Sequence, residues 1–242
     1  MNLLTETFHT LLYRPLFNVL ILLYKYLPGN DFGLAVIVLT FLLRLILYPL
    51  MTQSIRYQQT VSEIQPKIQE IQKKYKNNQE QQAKEIINVY KEKKISPFSV
   101  FLPLLIQLPL LIALFQVFRS GLQPESMNNL YGFISHPGEI NYLFLGLISL
   151  PEPNILLAVL TAIVQFFQLK TASPKIKSKK TKKKDSISRF SEMTQKQTPY
   201  FLSVFTFVFL TKLPAALGLY WITTSLFSMG QQYILRNHDK PK

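Results

Sequence analysis

The residue in this sequence that most needs a chemical explanation is Arg44, which lies inside an apolar stretch from Phe32 to Met51. A membrane-spanning helix needs about 20 mainly apolar residues, and an arginine at its centre costs roughly 2.5 to 3.5 kcal/mol on insertion scales. At about 1.5 Å per residue, Arg44 lies roughly 18 Å from Phe32 at one end of the stretch and roughly 9 Å from Leu50 near the other. This position is too deep for a flanking anchor. Thr40 lies one turn earlier on the same helix face.

Two explanations of Arg44 are open from the sequence. In the first, its side chain faces a water-filled cavity and offers a cation to an anionic partner. In the second, it reaches the nearer interface or pairs with a buried acid. We favour the cavity, because no other apolar stretch contains an acidic residue.

Residue patterns that support enzymatic chemistry are missing from the apolar stretches. The chain has no cysteine, and its three histidines lie outside these stretches without metal-ligand spacing: His9, His136 and His238. The stretches contain no HExxH, no GxSxG, no glycine-rich phosphate loop and no paired acids. We therefore expect no catalytic residue, metal or cofactor. An ion or solute transporter is the alternative function, since an intramembrane arginine also suits an anion pathway, but it predicts charges on more than one span.

Composition and charge indicate a polytopic membrane protein. Hydrophobic residues make up 48% of the 242 residues, and the mean hydropathy is +0.14. Nine lysines and arginines lie between Arg56 and Ser96 and nine more between Thr171 and Gln197, whereas Ser120 to Pro153 contains none. Because positive loops stay on the cytoplasmic side, the two basic segments are predicted to be cytoplasmic and the third to be outside.

The apolar stretches predict an all-α integral membrane fold with the N-terminus outside and the C-terminus in the cytoplasm. We place five transmembrane helices at residues 31–56, 98–119, 154–170, 196–212 and 213–235. The first should continue into the cytoplasm with a kink near Pro49. Residues 1–30 are predicted to form an amphipathic helix on the outer face, because four residues interrupt their apolar stretch: Arg14, Pro15, Asn18 and Lys25. A sixth span is the alternative for this segment.

The remaining segments connect these helices. Residues 57–97 carry apolar residues at helical spacing and predict a cytoplasmic helical hairpin with its turn at Asn77 and Asn78; a charged loop with helical tendency is the alternative. Residues 120–153 form an extracytoplasmic segment, in which 142–150 is expected at the outer interface, and Asn154 should cap the next helix. Residues 171–195 are a basic cytoplasmic loop, and 236–242 are a short cytoplasmic tail.

Four segments, in this order, resemble the YidC/Oxa1/Alb3 family of membrane protein insertases, and most closely its bacterial YidC branch. They are TFLLRLILYPL around Arg44, QPKIQEIQKKY after it, the stretch from Ser96 to Phe115, and LPAALGLYWITTSLFSMGQQ from Leu213 to Gln232. Each motif alone is weak, but the ordered set is specific. The large extracytoplasmic domain and extra leading span of some Gram-negative members are missing, so the chain is similar to the minimal five-span form.

The resemblance implies five helices around a hydrophilic groove that is open to the cytoplasm and to lipid. Arg44 matches the central arginine of that groove and Thr40 a neighbouring position. The candidates for the remaining lining are Gln107, Gln165, Gln168, Tyr220, Trp221 and Thr224; ordinary interhelical hydrogen bonds or packing are the alternatives for them. The implied function is insertion and folding of newly made proteins in the bacterial cell membrane. In that function Arg44 attracts an acidic flank of the client.

The partners that the resemblance implies are nascent membrane proteins and the lipid bilayer. The lysine-rich run from Lys170 to Ser188 has two interpretations, attraction to anionic lipid and contact with ribosomal RNA. The sequence leaves open whether the chain contacts the ribosome through this loop and the tail, and whether it works with the Sec translocon. No DNA partner is expected.

Overall fold

The computed structural model of the chain describes residues 3–96, 102–120, 124–172 and 186–238. In these ranges the regular structure is helical except for one two-stranded antiparallel hairpin, which lies within an irregular segment at 130–154. The helices are α1 (Leu3–Phe8), α2 (Arg14–Tyr26), α3 (Phe32–Ile46), α4 (Tyr48–Lys74), α5 (Gln79–Glu92), α6 (Leu102–Ser120), α7 (Ile155–Ala172), α8 (Ser186–Leu210) and α9 (Ala215–His238). The strands are β1 (Leu143–Phe144) and β2 (Ile148–Ser149).

Three helices begin at a side chain that accepts a hydrogen bond from the first turn. Asp31 Oδ1 accepts from the Leu34 N–H at 2.9 Å at the start of α3. Asn78 and Asn154 do the same for α5 and α7, each at 3.0 Å. Such caps satisfy backbone donors that have no partner within the helix. The cap expected at Asn154 is confirmed.

The main core lies where α2, α3, α6 and α9 meet. Its innermost side chains are nearly inaccessible to solvent: Phe17 and Ile21 of α2, Val36 and Leu39 of α3, Leu114 and Val117 of α6, and Leu217 and Tyr220 of α9. α3 packs against both α2 and α9, so Arg44, near the end of α3, is carried between neighbouring helices.

The polar residues that interrupt the apolar stretch of 1–30 hold a loop in place. Asn18 Nδ2 donates to the carbonyl of Asn129 at 3.0 Å, and Asn18 Oδ1 accepts from the Tyr131 N–H at 2.7 Å. Arg14 Nε donates to the same Asn129 carbonyl, and its guanidinium lies 4.9 Å from the Tyr131 ring centroid. The segment is helical, as expected, but one face of α2 belongs to the core. Its position on the outer face stays a prediction.

Residues 142–150 form the β-hairpin, which packs on the start of α3. The Leu145 N–H donates to Asp31 Oδ2 at 2.6 Å, so Asp31 both caps α3 and anchors the hairpin. The turn passes through Leu145 and Gly146 at φ of 51° and 70°. Phe144 covers Gly33, where a Cβ atom would lie 2.7 Å from Phe144 Cγ. A hairpin was not expected from the apolar pattern of this segment.

The helix that carries Arg44 bends sharply at Leu47. α3 and α4 meet there at 67°, two residues before Pro49, because Pro49 suits the first turn of a new helix. Farther along, α4 and α5 pack on each other around Ile64, Ile68 and Val89. On α5, Val89 is buried against α4, whereas Ile87 is exposed.

α8 begins at Ser186, earlier than the predicted helix start at residue 196. No glycine or proline lies between Ser186 and Thr198, so nothing in the sequence stops the helix. Of the basic loop predicted at 171–195, residues 171–172 belong to α7, 186–195 belong to α8, and 173–185 lie outside the described residues. Residues 97–101, which include the start of the second predicted span at 98, also lie outside them.

Hydropathy and length single out one membrane-spanning helix among the described residues. Ile155–Ala172 qualifies alone, with a mean hydropathy of 1.7. Phe32–Ile46 and Tyr48–Lys74 qualify together but across their bend, and Leu105–Arg119 and Gln197–Leu210 are shorter apolar helices. The count of five transmembrane helices therefore stays a prediction.

Candidate functional site

Arg44, Gln107 and Tyr220 form a hydrogen-bonded chain across three helices. Arg44 Nη2 of α3 donates to Gln107 Oε1 of α6 at 3.1 Å. Gln107 Nε2 donates in turn to the hydroxyl oxygen of Tyr220 of α9. An amide suits this middle position because it accepts at one atom and donates at the other. The cluster joins three residues that are far apart in sequence and that were all predicted as site residues.

The guanidinium in this cluster is covered by protein but is not neutralised. Arg44 is 6% exposed and Tyr220 is 1% exposed. In the described part of the chain, no carboxylate forms an ion pair with Arg44. A guanidinium carries five N–H donors in a planar fork, which suits bidentate binding of a carboxylate. The site can therefore offer a positive charge to an acidic group that reaches it.

The two predicted threonines lie next to this cluster. Thr40, one turn before Arg44, is 1% exposed, and its hydroxyl donates to the Val36 carbonyl at 2.6 Å. Thr224, one turn after Tyr220, is 7% exposed. The bond to Val36 is the usual way in which a helical threonine satisfies its own hydroxyl.

The other three predicted residues lie elsewhere. Trp221 lines an apolar cavity of about 240 Å³ between α6, α8 and α9, together with Leu111, Phe115 and Leu213. Gln165 and Gln168 lie on α7, which packs against α8 and α9. Gln165 is 7% exposed, and its Oε1 has no hydrogen-bond partner among the described residues. None of the contacts described for these three residues reaches Arg44.

A second set of buried polar residues lies beyond the bend, where the sequence analysis assigned no site. Gln231 Nε2 of α9 donates to the Tyr48 carbonyl at 3.0 Å and to Thr52 Oγ1 at 2.8 Å. Gln232, next to Gln231 on α9, and Ser54 of α4, seven residues after the bend, are also buried. The signal in the sequence was the GlnGln pair at the end of a long apolar stretch, which the resemblance included without assigning it a role. Among the described residues there is no group of three or more histidines and acids that could hold a metal ion.

Comparison with known proteins identifies the family. A family model described as 60Kd inner membrane protein matches residues 22–242. The membrane protein insertase YidC of Clostridium tetani is 34% identical over 213 residues, which are 88% of this chain and 85% of that relative. The YidC insertase of Chlamydia trachomatis is 31% identical over 96% of this chain but only 28% of its own length.

A solved structure agrees with these relatives. A crystal structure of an active YidC insertase with its first transmembrane domain resolved matches with a TM-score of 0.60 and 26% identity, covering 95% of this chain and 47% of that one. This chain therefore belongs to the 60Kd inner membrane protein family, to which the insertases named YidC belong. The resemblance read from the four sequence segments is confirmed, and the family implies a protein of the bacterial inner membrane.

Proposed function

We propose that this chain is a membrane protein insertase, which inserts newly made membrane proteins and helps them fold. The observation that carries the proposal is Arg44, a buried guanidinium whose described partner is a neutral amide rather than a carboxylate. The names of the relatives in Clostridium tetani and Chlamydia trachomatis support the same function.

The proposed architecture has five transmembrane helices around a hydrophilic groove that opens to the cytoplasm and to lipid. Helical lengths support it, because α6, α7, α8 and α9 contain 19, 18, 25 and 24 residues. At about 1.5 Å per residue these helices are roughly 27 to 37 Å long, which matches a hydrocarbon core of about 30 Å. The bent pair α3 and α4 supplies the remaining span and carries the chain into the α4–α5 pair.

The proposed orientation follows from the charges in the sequence. The N-terminus lies outside and the C-terminus in the cytoplasm, so the α4–α5 pair is a cytoplasmic helical hairpin and residues 120–153 are extracytoplasmic. In this orientation the β-hairpin covers the outer end of α3. Arg44, farther along α3, then lies closer to the cytoplasmic side, from which a client arrives.

Insertion requires that the polar flank of a client crosses the hydrocarbon core. A charged side chain in hydrocarbon is costly. A hydrophilic groove that reaches Arg44 shortens the distance that the polar flank must travel through hydrocarbon. A client carboxylate would replace the neutral oxygen of Gln107 as the partner of Arg44, and a charge-assisted hydrogen bond is roughly twice as strong as a neutral one. The apolar part of the client then leaves sideways into lipid, so the step needs no covalent chemistry and no cofactor.

Replacement of Arg44 tests this mechanism. We expect Arg44→Ala to lower insertion of a client with an acidic tail about tenfold or more, because a hydrogen bond to a charged group contributes about 1.5 to 3 kcal/mol. Arg44→Lys should retain much of the activity, since it keeps the positive charge. The measurement is the yield of protease-protected client after reconstitution of the pure chain in liposomes.

A matched control distinguishes the effect of losing Arg44 from the effect of losing an arginine elsewhere in the chain. Arg119→Ala removes an exposed arginine at the end of α6 and should leave the yield unchanged. Full activity of the Arg44→Ala chain, or equal loss in the Arg44 and Arg119 variants, would contradict the role proposed for Arg44.

A further inference from the structure

A second open cavity lies on the outside of the helix that best fits a membrane span. It has a volume of about 500 Å³ and runs between α7 and α8. Its walls are aromatic and aliphatic side chains, among them Ile163, Phe166 and Phe167 of α7 and Tyr200, Val204 and Phe207 of α8. Because only 22% of the α7 window is buried, most of this surface must face lipid in a membrane.

The groove has the length of one membrane leaflet. Its α7 side extends from Val159 to Phe167, which is about 12 Å along a helix. Half of the hydrocarbon core is about 15 Å thick. Since Lys170 in the last turn of α7 marks the polar end, the groove lies in the leaflet on the Lys170 side.

Two cations stand at this polar end. Lys170 Nζ lies 5.6 Å from the ring centroid of Phe166, and that ring lies 5.0 Å from the ring of Tyr200. Phe166 and Tyr200 both line the groove, so the ammonium group is held at its mouth. Arg236 of α9 donates from Nη2 to the Thr171 carbonyl, which brings a second cation to the residue after Lys170. Neither cation forms an ion pair with a carboxylate in the described ranges of the chain.

Below the cations the groove surface is apolar. Ser203 of α8, one turn deeper than Tyr200, is a lining residue, but its Oγ is enclosed by protein. A phospholipid has the same order of groups, because its phosphate lies at the surface and its acyl chains lie below. Two cations above an apolar groove therefore match a lipid from its headgroup to its acyl chains.

We propose that the groove between α7 and α8 is a binding site for an anionic phospholipid. Lys170 and Arg236 bind the phosphate, and one acyl chain lies between the two helices. A zwitterionic lipid fits the groove equally well but gains less from the two cations, because its own positive group offsets the phosphate. The proposal needs the membrane location of α7 and α8 but not the insertase mechanism.

Quenching by brominated lipids tests the site directly. We would introduce a reporter at the groove with Tyr200→Trp in a chain whose single tryptophan is removed by Trp221→Phe. The chain is reconstituted in phosphatidylcholine vesicles that contain dibrominated phosphatidylglycerol or dibrominated phosphatidylcholine. We expect phosphatidylglycerol to bind at the reporter about fivefold or more tightly than phosphatidylcholine, as one or two surface cations predict.

Charge variants of the reporter chain decide whether the preference comes from this site. The quantity compared is the ratio of the affinity for phosphatidylglycerol to the affinity for phosphatidylcholine. Lys170→Gln should lower this ratio at least twofold, and Lys170→Gln with Arg236→Gln should bring it close to one. Lys212→Gln, which removes an exposed lysine at the other end of α8, should leave it unchanged.

Two results would overturn the proposal. A ratio near one in the parent reporter chain shows that the groove does not select anionic lipid. An equal ratio in the Lys170→Gln and Lys212→Gln chains shows that the net charge of the protein attracts the lipid. Because the readout is lipid binding, a failure of the insertase mechanism leaves this test intact.

Discussion

The group that accepts a hydrogen bond from Arg44 determines whether the charge of the guanidinium is neutralised. Had a buried carboxylate paired with it, the charge would be neutralised and a client would have to displace an ion pair. Gln107 instead accepts a single hydrogen bond through a neutral oxygen and is itself held by Tyr220. This hydrogen bond orients the guanidinium without neutralising it, and we propose that Gln107 is a positioning residue for Arg44.

Replacing Gln107 tests this positioning role. Gln107→Leu removes the acceptor for Arg44 and the donor to Tyr220 but keeps the cation. We expect insertion of an acidic-tailed client to fall severalfold, which is less than for Arg44→Ala, because interhelical hydrogen bonds in membrane proteins contribute about 0.6 to 1.7 kcal/mol. The exposed Gln116 on the same helix provides the control, since Gln116→Leu should insert the client normally. Equal yields from the two leucine variants would show that Gln107 does not position Arg44.

The sequence predicted the members of this cluster better than their neighbours. Arg44 is conspicuous in any apolar stretch, and Gln107 and Tyr220 were candidates. Trp221 was a candidate too, but adjacent helical residues point about 100° apart, so it lines another cavity while Tyr220 reaches the cluster. The rotation of α9 about its axis is set by packing against α3 and α7, which no local pattern in the sequence reveals.

Among the secondary-structure elements, the β-hairpin on α3 was the least predictable from the sequence. The segment 142–150 is apolar without a strict alternation, and its hydrogen bond to Asp31 connects residues 114 positions apart. The cap at Asn154 was predictable because it depends on a local sequence pattern. The bend at Leu47 was expected near Pro49, since proline favours the first turn of a helix.

Gly33 provides a test of the contact between α3 and the hairpin. A Cβ atom there would lie 2.7 Å from Phe144 Cγ and 2.8 Å from Phe144 Cβ, so the aromatic side chain must move. We expect Gly33→Ala to destabilise the fold by about 1 to 3 kcal/mol, as overpacking generally does. The measurement is the denaturation midpoint in detergent, with faster hydrogen exchange in residues 142–150.

Gly132→Ala is the matched control, because a Cβ atom at Gly132 meets no other atom within 4 Å. Adding Phe144→Ala to Gly33→Ala should restore the midpoint to that of Phe144→Ala alone. If Gly33→Ala and Gly132→Ala have the same denaturation midpoint, Phe144 does not pack on α3 as described.

At the scale of the whole molecule, composition clearly indicated a membrane protein. Hydropathy identifies its individual spans less clearly. α9 illustrates the reason, because several polar residues lower its hydropathy although they point into the protein: Thr224, Ser225, Gln231 and Gln232 are all buried. A hydropathy test treats such a helix as if every face met lipid. Family membership does not depend on any single span, because the family model matches residues 22–242.

The central claim is that Arg44 acts on the acidic flank of a client, and a double-mutant cycle tests it most directly. Insertion rates are measured for the parent and Arg44→Ala chains, each with an acidic-tailed client and with the same client after its tail acids are changed to amides. The account predicts coupling, with a loss of about tenfold or more for the acidic client and little loss for the neutral one. The same loss for both clients would contradict it.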